Sequence, residues 1–133
     1  MRLTNGKFQL SPTDLSHFLD CQHIITLDIA RLNGEEIPIQ GNDEFSEIIA
    51  QKGIDHEKKY LSHLQINIDN ITEISEGLGH FTRLKQTVSA LKAGTDVIYQ
   101  GYLSSGSWAG VPDFLERDFD YEGPVYAIVD TKL

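Results

Sequence analysis

The run Val125-Tyr126-Ala127-Ile128-Val129, opened by Gly123-Pro124 and followed by Asp130-Thr131-Lys132, constrains the fold more than any other stretch. Apolar and β-branched residues in an unbroken row after a glycine–proline turn predict a strand. Side chains alternate across a strand, so Asp130 and Lys132 are expected on one face and Thr131 on the other. An acid and an amine on an otherwise apolar strand are costly to bury unless they are paired or hold a metal. Upstream, Val111-Pro112-Asp113-Phe114 places a second carboxylate in another strand-like segment. Asp113 with Asp130 and Lys132 is the constellation on which a function would rest, provided the two strands lie side by side.

A chain of 133 residues suits a single domain over 1–133, able to bury a core without staples. Its 40% apolar content argues against disorder. No window approaches the ~18 consecutive apolar residues of a membrane span, and Met1 to Lys7 has no apolar signal core behind its charges. One cysteine, Cys21, excludes an internal disulfide and fits a reducing compartment, so a cytoplasmic domain without membrane attachment is expected. The net charge is −9, from 20 acidic and 11 basic residues. That balance counts against a tight, stand-alone nucleic-acid binder, because phosphate contacts draw on Lys and Arg. It suits a site that collects divalent cations.

Ser11-Pro12-Thr13-Asp14 predicts a helix start, with serine at the N-cap, proline at the first helical position and aspartate at the capping-box position. Leu15, Phe18, Leu19, Ile25 and Ile29 continue as one apolar stripe to about Ala30, and Asn33-Gly34 ends it. Glu35 to Asn42 reads as a loop. A second helix is expected from Asp43 to about Leu64, with Phe45, Ile48, Ile49, Tyr60 and Leu64 on one face. Gly53 falls within that face, where glycine costs ~1 kcal/mol relative to alanine, so a close backbone approach is expected there. His56 and Glu57 lie on the shoulders of the face and should point to the core side. Ile66 to Ile74 is ambiguous, with a short strand slightly preferred. Gly77-Leu78-Gly79 breaks the chain. Phe81, Leu84, Val88 and Leu91 then describe a third helix closed by Gly94.

Three strands follow: Asp96 to Leu103, Ser107 to Asp118 after a Ser104-Ser105-Gly106 turn, and the last one after Asp120 to Pro124. Ala109, Val111, Asp113 and Leu115 would share one face of the middle strand. The predicted class is α/β (α+β): N-terminal helices followed by a three-stranded meander.

Asp113 and Asp130 offer hard oxygen ligands for Mg²⁺ or Mn²⁺, which lowers the pKa of a bound water. Lys132 would orient that water or offset charge developing on a phosphate. The plainer account is an Asp–Lys pair at a strand end and a turn aspartate after proline. D-x-K by itself is common; Pro112-Asp113 on the neighbouring strand makes it more specific. On spacing alone, His56-Glu57 reads first as an ordinary amphipathic shoulder, and only second as a metal ligand beside an acid. Cys21 reads as a small buried hydrophobe, and Trp108 and the tyrosines as core. His17, His23, His63 and His80 show no metal-ligand spacing with one another. There is no P-loop, dinucleotide fingerprint, nucleophile elbow or C-x-x-C.

Five blocks stand in a telling order: Ser11-Pro-Thr-Asp-Leu-Ser-His-Phe-Leu-Asp-Cys21, Gly53-Ile-Asp-His56-Glu57, Ala93-Gly-Thr-Asp-Val-Ile-Tyr-Gln100, Gly110-Val-Pro-Asp113-Phe and Val129-Asp130-Thr-Lys132-Leu. In that order the chain resembles, over nearly its whole length, the bacterial RecB-like nucleases of the PD-(D/E)XK superfamily. The resemblance implies a restriction-endonuclease-like core, in which a helix bearing His-Glu packs on a mixed sheet and a metal sits at the fork of two strands. It implies that Asp113 and Asp130 bind Mg²⁺ or Mn²⁺, that Lys132 is the catalytic lysine, that His56 is a further metal ligand and that Glu57 is the helix carboxylate of the same centre. In iron–sulfur relatives a cysteine placed like Cys21 joins three others near the C-terminus around a [4Fe–4S] cluster; those three are absent here.

The family's fold continues past its lysine strand with a helix and a further strand, whereas this chain ends at Leu133. An incomplete domain lacking that last helix and strand is therefore expected, with a sheet edge that a second copy or a partner chain would cover. The implied activity is metal-dependent DNA nuclease or exonuclease action through metal-activated water, weak or absent in such a fragment. The alternative is a non-catalytic, degenerate nuclease-like module that binds a protein partner or completes a split nuclease.

Overall fold

Ser11 opens the first helix as its spacing predicts. In the computed structural model, which describes residues 1–4, 6–38, 41 and 44–131, the Asp14 N–H donates to the Ser11 hydroxyl at 3.4 Å while the Ser11 N–H donates to the Asp14 carboxylate at 2.6 Å. This reciprocal box satisfies two donors that a helix start leaves open. The elements run β1 (Arg2–Thr4), β2 (Lys7–Gln9), α1 (Pro12–Asp20), α2 (Gln22–Leu32), α3 (Glu44–Asn67), β3 (Ile71–Glu73), α4 (His80–Ala93), β4 (Val97–Tyr99), β5 (Leu103–Ser105), β6 (Trp108–Gly110), β7 (Phe114–Asp118) and β8 (Val125–Val129). The fold is mixed α and β, and it divides into two compact units: Met1–Gly41 with Ser104–Gly110, and Asn42–Leu103 with Val111–Leu133.

In the first unit β1 and β2 pair antiparallel, Leu3 opposite Phe8. The sequence reading missed this hairpin, although Asn5-Gly6 is a strong hairpin-turn signal. The stripe expected to run unbroken to Ala30 is interrupted at Cys21, whose backbone is extended (φ −159°, ψ 107°). From Leu19 to Ile25 the apolar spacing is six, off the helical period, and the helix breaks inside that gap. Cys21 itself is exposed, not the buried hydrophobe expected. Gly34, at φ +93°, follows the end of α2 where Asn33-Gly34 predicted a stop. The β5–β6 hairpin turns at Gly106 (φ +56°), and Leu10 pairs with it through Ala109 N–H to Leu10 O at 2.8 Å. Trp108 on that hairpin is exposed rather than core.

The second unit holds a four-stranded sheet in the order β3-β4-β7-β8. β3 lies parallel to β4, and the other two pairings are antiparallel. Tyr99 faces Phe114 and Phe114 faces Val129 across the sheet; one step away Ile98, Leu115 and Ile128 form the next row. Alternation sends these rows to opposite faces. Val97, Tyr99, Phe114 and Val129 pack with Tyr60, Leu61 and Leu64 of α3. Ile98, Leu115 and Tyr126 pack with Ala90 and Leu91 of α4. The sheet is thus covered by one helix on each face.

Several expectations shift. α3 runs on to Asn67, so Ile66 is helical and only Ile71–Glu73 becomes a strand; its expected start at Asp43, like Asn42, lies outside the described residues. The buried part of α3 is its C-terminal half, Leu61 and Leu64, whereas Phe45 is 69% exposed and Ile48 and Ile49 are exposed too. A Cβ built on Gly53 would meet nothing within 4 Å, so the expected close approach is not there. On α4 the buried residues are Arg83, Thr87 and Ala90, while Phe81 is 81% exposed. Polar side chains win that face because each has a partner. The Thr87 hydroxyl donates to Arg83 O and accepts from Tyr102 N–H, both at 2.9 Å, and Arg83 donates to Gln100 O at 3.0 Å.

The two long strands expected over 96–103 and 107–118 are each broken. β4 stops at Tyr99 because Gln100 is left-handed (φ +56°). The middle strand splits into β6 and β7 around Pro112, which has no N–H for a ladder. The meander survives as β4, β7 and β8, with the β5–β6 hairpin inserted. Two substitutions check this packing by urea denaturation. Gly53→Ala should stabilise the chain by ~1 kcal/mol, the helix-propensity difference in open space. Thr87→Val should destabilise it by ~1–3 kcal/mol, because the Tyr102 N–H loses its acceptor.

Candidate active site

The ends of β4, β7 and β8 place the acids that the sequence singled out. Pairing Phe114 with Val129 sets Asp113 just before β7 and Asp130 just after β8, side by side beyond the last ladder row. The Asp113 N–H points to Asp130 Oδ1 at 3.4 Å. In return, Asp113 Oδ2 accepts from the Thr131 N–H at 2.8 Å and the Thr131 hydroxyl at 2.9 Å. Thr131 was expected to point away from the acids. It turns toward Asp113 because β8 ends at Val129 and strict alternation ends with it. Asp113, expected on the Leu115 face inside a strand, likewise lies outside one.

The third acid comes from α3. Glu57, Leu61 and Leu64 recur at four and then three residues, so Glu57 heads the stripe that α3 buries on the sheet. It is half-buried, as expected. His56, one position or ~100° away, is exposed, which corrects the expectation that both shoulders face the core. The side-chain amide of Gln100 donates to Glu57 Oε1, and Tyr99 also hydrogen-bonds Glu57. Burial first, then that bond, then the charges of Glu57, Glu76 and Asp113 push the Tyr99 phenol well above its ordinary value of 10.0. Tyr99 is therefore a neutral donor among acids.

Gln100 joins these parts. A non-glycine residue in the left-handed region costs ~1–3 kcal/mol and persists only where its surroundings over-determine it. Here its N–H donates to Asp113 O at 2.9 Å, its carbonyl accepts from Arg83, and its amide holds Glu57. Gly101 must follow, since a Cβ there would lie 3.1 Å from Leu115 Cδ1 and 3.3 Å from Thr87 Cγ2. Beneath the acids, Phe114 stacks edge-on with Tyr60 (5.0 Å) and tilted with Tyr99 (5.1 Å). The Tyr60 hydroxyl donates to Glu116 at 2.8 Å, and burial, then Glu116, raises its pKa.

Of the predicted residues, Asp113 and Asp130 are brought together, Glu57 is linked to Asp113 indirectly, through Gln100, and His56 faces solvent. Lys132 lies outside the described residues. Thr131, Tyr99 and Gln100 were not singled out. Tyr99-Gln100 was read as the interior of the strand expected over 96–103 and as the close of one family-like block, and nothing local in the sequence signals a left-handed glutamine.

Among the described residues, the set of three acids and imidazoles whose ligand atoms all lie within 4.8 Å of one another is not Glu57, Asp113 and Asp130 but Asp14, His17 and Asp28 of the first unit. The spacing of Asp14 and His17 is helical, but Asp28 reaches them only through the pairing of α1 with α2, which no periodicity foretells. Both acids have internal partners: Asp14 takes the Met1 ammonium at 2.6 Å and Ser11, and Asp28 takes Arg31 at 3.1 Å. Burial alone would raise the Asp14 pKa, but its bonds to the Met1 ammonium and to Ser11 outweigh it and hold it below the ordinary 3.8.

Comparison with models of protein families, with curated proteins and with solved structures finds no match to this chain. Among the described residues no helix is long and apolar enough to cross a membrane.

Because Tyr99 holds its proton more tightly folded than unfolded, its contribution to stability is complete below pH 10 and is lost as pH rises beyond it. Denaturation between pH 8 and about 11.5 should show this fall. Tyr99→Phe should flatten it, and should remove the last phenol to ionise in an absorbance titration at about 295 nm.

Proposed function

We propose that the unit carrying the four-stranded sheet is a divalent-metal-dependent nuclease domain of the RecB-like PD-(D/E)XK kind, with a restriction-endonuclease-like core, which hydrolyses phosphodiester bonds in DNA. The observation that carries this reading is the meeting of Asp113 and Asp130 at adjacent strand ends, 3.4 Å from N–H to carboxylate, with Glu57 reached through Gln100 and Tyr99. A mixed sheet with α3 and its Glu57 on one face supports it.

The donor set fits Mg²⁺ or Mn²⁺, ions held by one or two carboxylates together with substrate phosphate. One oxygen of Asp113 is taken by Thr131 and one of Asp130 by an N–H. The second oxygen of each acid carries no hydrogen bond among the described residues. Bound there, the metal would lower the pKa of a coordinated water and offset phosphate charge. Thr131 fixes the Asp113 carboxylate, and Gln100 and Tyr99 fix Glu57. His56 offers an imidazole one residue from Glu57, and Lys132 an ammonium two residues past Asp130 to orient the attacking water. With a net charge of −9, affinity for DNA would come through the metal more than through a basic surface. A [4Fe–4S] cluster needs three thiolates besides Cys21, which this sequence does not contain.

A second reading, a non-catalytic module that pairs with a protein partner or a second copy, is favoured by β8. It is an edge strand of the sheet, and its Ile128 is 65% exposed.

Labelled single- and double-stranded DNA incubated with the chain and Mn²⁺ decides between them. The nuclease reading expects cleavage that chelation stops and that Asp113→Asn, Asp130→Asn and Lys132→Ala each reduce by about 100-fold or more. Cleavage that survives all three substitutions, or none with any divalent metal, rejects it. A dimer in sedimentation that Ile128→Lys dissolves would then support the second reading.

A further inference from the structure

We infer that Gln100 is the positioning residue of this centre: from a left-handed backbone it clamps Glu57 of α3 by its side-chain amide and anchors Asp113 by its N–H. The inference deepens the nuclease reading and rests on it. Left-handed positions favour glycine or asparagine, so backbone preference does not explain a glutamine here. Its side chain does, since it ends on Glu57.

The main chain on either side is set by packing. The Gln100 carbonyl accepts from Arg83, which is buried and lies 5.8 Å from the centre of the Tyr102 ring. Tyr102 N–H is in turn held by the buried Thr87 hydroxyl. On the strand side, Gln100 N–H donates to Asp113 O at 2.9 Å, adding a bond beyond the Tyr99–Phe114 pair that closes the β4–β7 ladder. One residue therefore ties an acid on a helix to the main chain of an acid just ahead of a strand.

A glutamate on a helix flank is otherwise free to sample several rotamers. Two donors, the Gln100 amide and the Tyr99 phenol, hold Glu57 in one. Partners that orient metal-binding groups in this way typically change metal affinity 10- to 100-fold when they are removed.

The test separates positioning from folding. Q100G relieves the left-handed backbone while deleting the amide, so its urea midpoint should equal or exceed that of the unchanged chain. Its Mn²⁺ affinity by calorimetric titration should nonetheless fall by about 10-fold or more, with partial recovery in Q100N, which keeps an amide on a backbone that tolerates φ above zero. A metal-free readout accompanies it: one Gln100 side-chain amide proton should be shifted and slow to exchange in ¹H–¹⁵N spectra, and E57A should abolish both features. Q100G binding Mn²⁺ like the unchanged chain while D113N loses it overturns the positioning role and spares the site. A Gln100 amide indifferent to E57A overturns the clamp. Mn²⁺ binding that D113N leaves intact, or no binding by any variant, overturns the site reading itself and this inference with it.

Discussion

One row of side chains carries the second unit: Tyr99, Phe114 and Val129, paired across β4, β7 and β8 under the C-terminal half of α3. Phe114 is fully buried. Because a slip of one residue would send its ring to the opposite face, this burial sets the register of the whole meander. Register in turn decides where the polar residues fall. Asp113 precedes Phe114 and Asp130 follows Val129, so the acids lie together only because their apolar neighbours are in register.

A second, polar layer locks that arrangement from the α4 side. Arg83, Thr87, Gln100 and Tyr102 form a connected set in which each hydrogen bond meets a main-chain group. Buried polar groups are tolerated where they are paired, so α4 can turn Arg83 and Thr87 inward and leave Phe81 in water. The layer does what an apolar one could not: it gives direction to a chain leaving β4. Gln100 and Gly101 turn the backbone there, and the turn aims the glutamine amide at Glu57.

The electrostatics follow from the same geometry. Three carboxylates, Glu57, Glu76 and Asp113, bear on the Tyr99 phenol, and Asp130 adjoins Asp113. Among the described residues, hydrogen-bond donors facing the acids come from Gln100, Tyr99, Thr131 and main-chain N–H groups, all neutral. Neutral donors orient carboxylates without cancelling their charge, which leaves them able to attract a cation. In the first unit the opposite holds: Asp14 and Asp28 meet an ammonium and a guanidinium, which meet their charge directly.

Local chemistry was legible in the sequence. The Ser11-to-Asp14 box started α1, Asn33-Gly34 and Gly94 ended two helices, and Gly123-Pro124 led into β8, because caps and turns depend on a few adjacent residues. Asp113 and Asp130 could also be picked out as acids on apolar segments, whereas Glu57 on spacing alone read as an ordinary amphipathic shoulder. Which face of a helix is buried was another matter. Apolar spacing pointed α4 toward Phe81, and it placed the whole of α3 against a core that its C-terminal half reaches, through Tyr60, Leu61 and Leu64. Spacing describes one element, whereas burial is decided by what lies opposite. The left-handed Gln100 with its bond to Glu57, the turn of Thr131 onto Asp113 and the meeting of Asp113 with Asp130 arise from pairings of residues 17 to 43 positions apart. Only the folded sheet brings such residues within hydrogen-bonding distance.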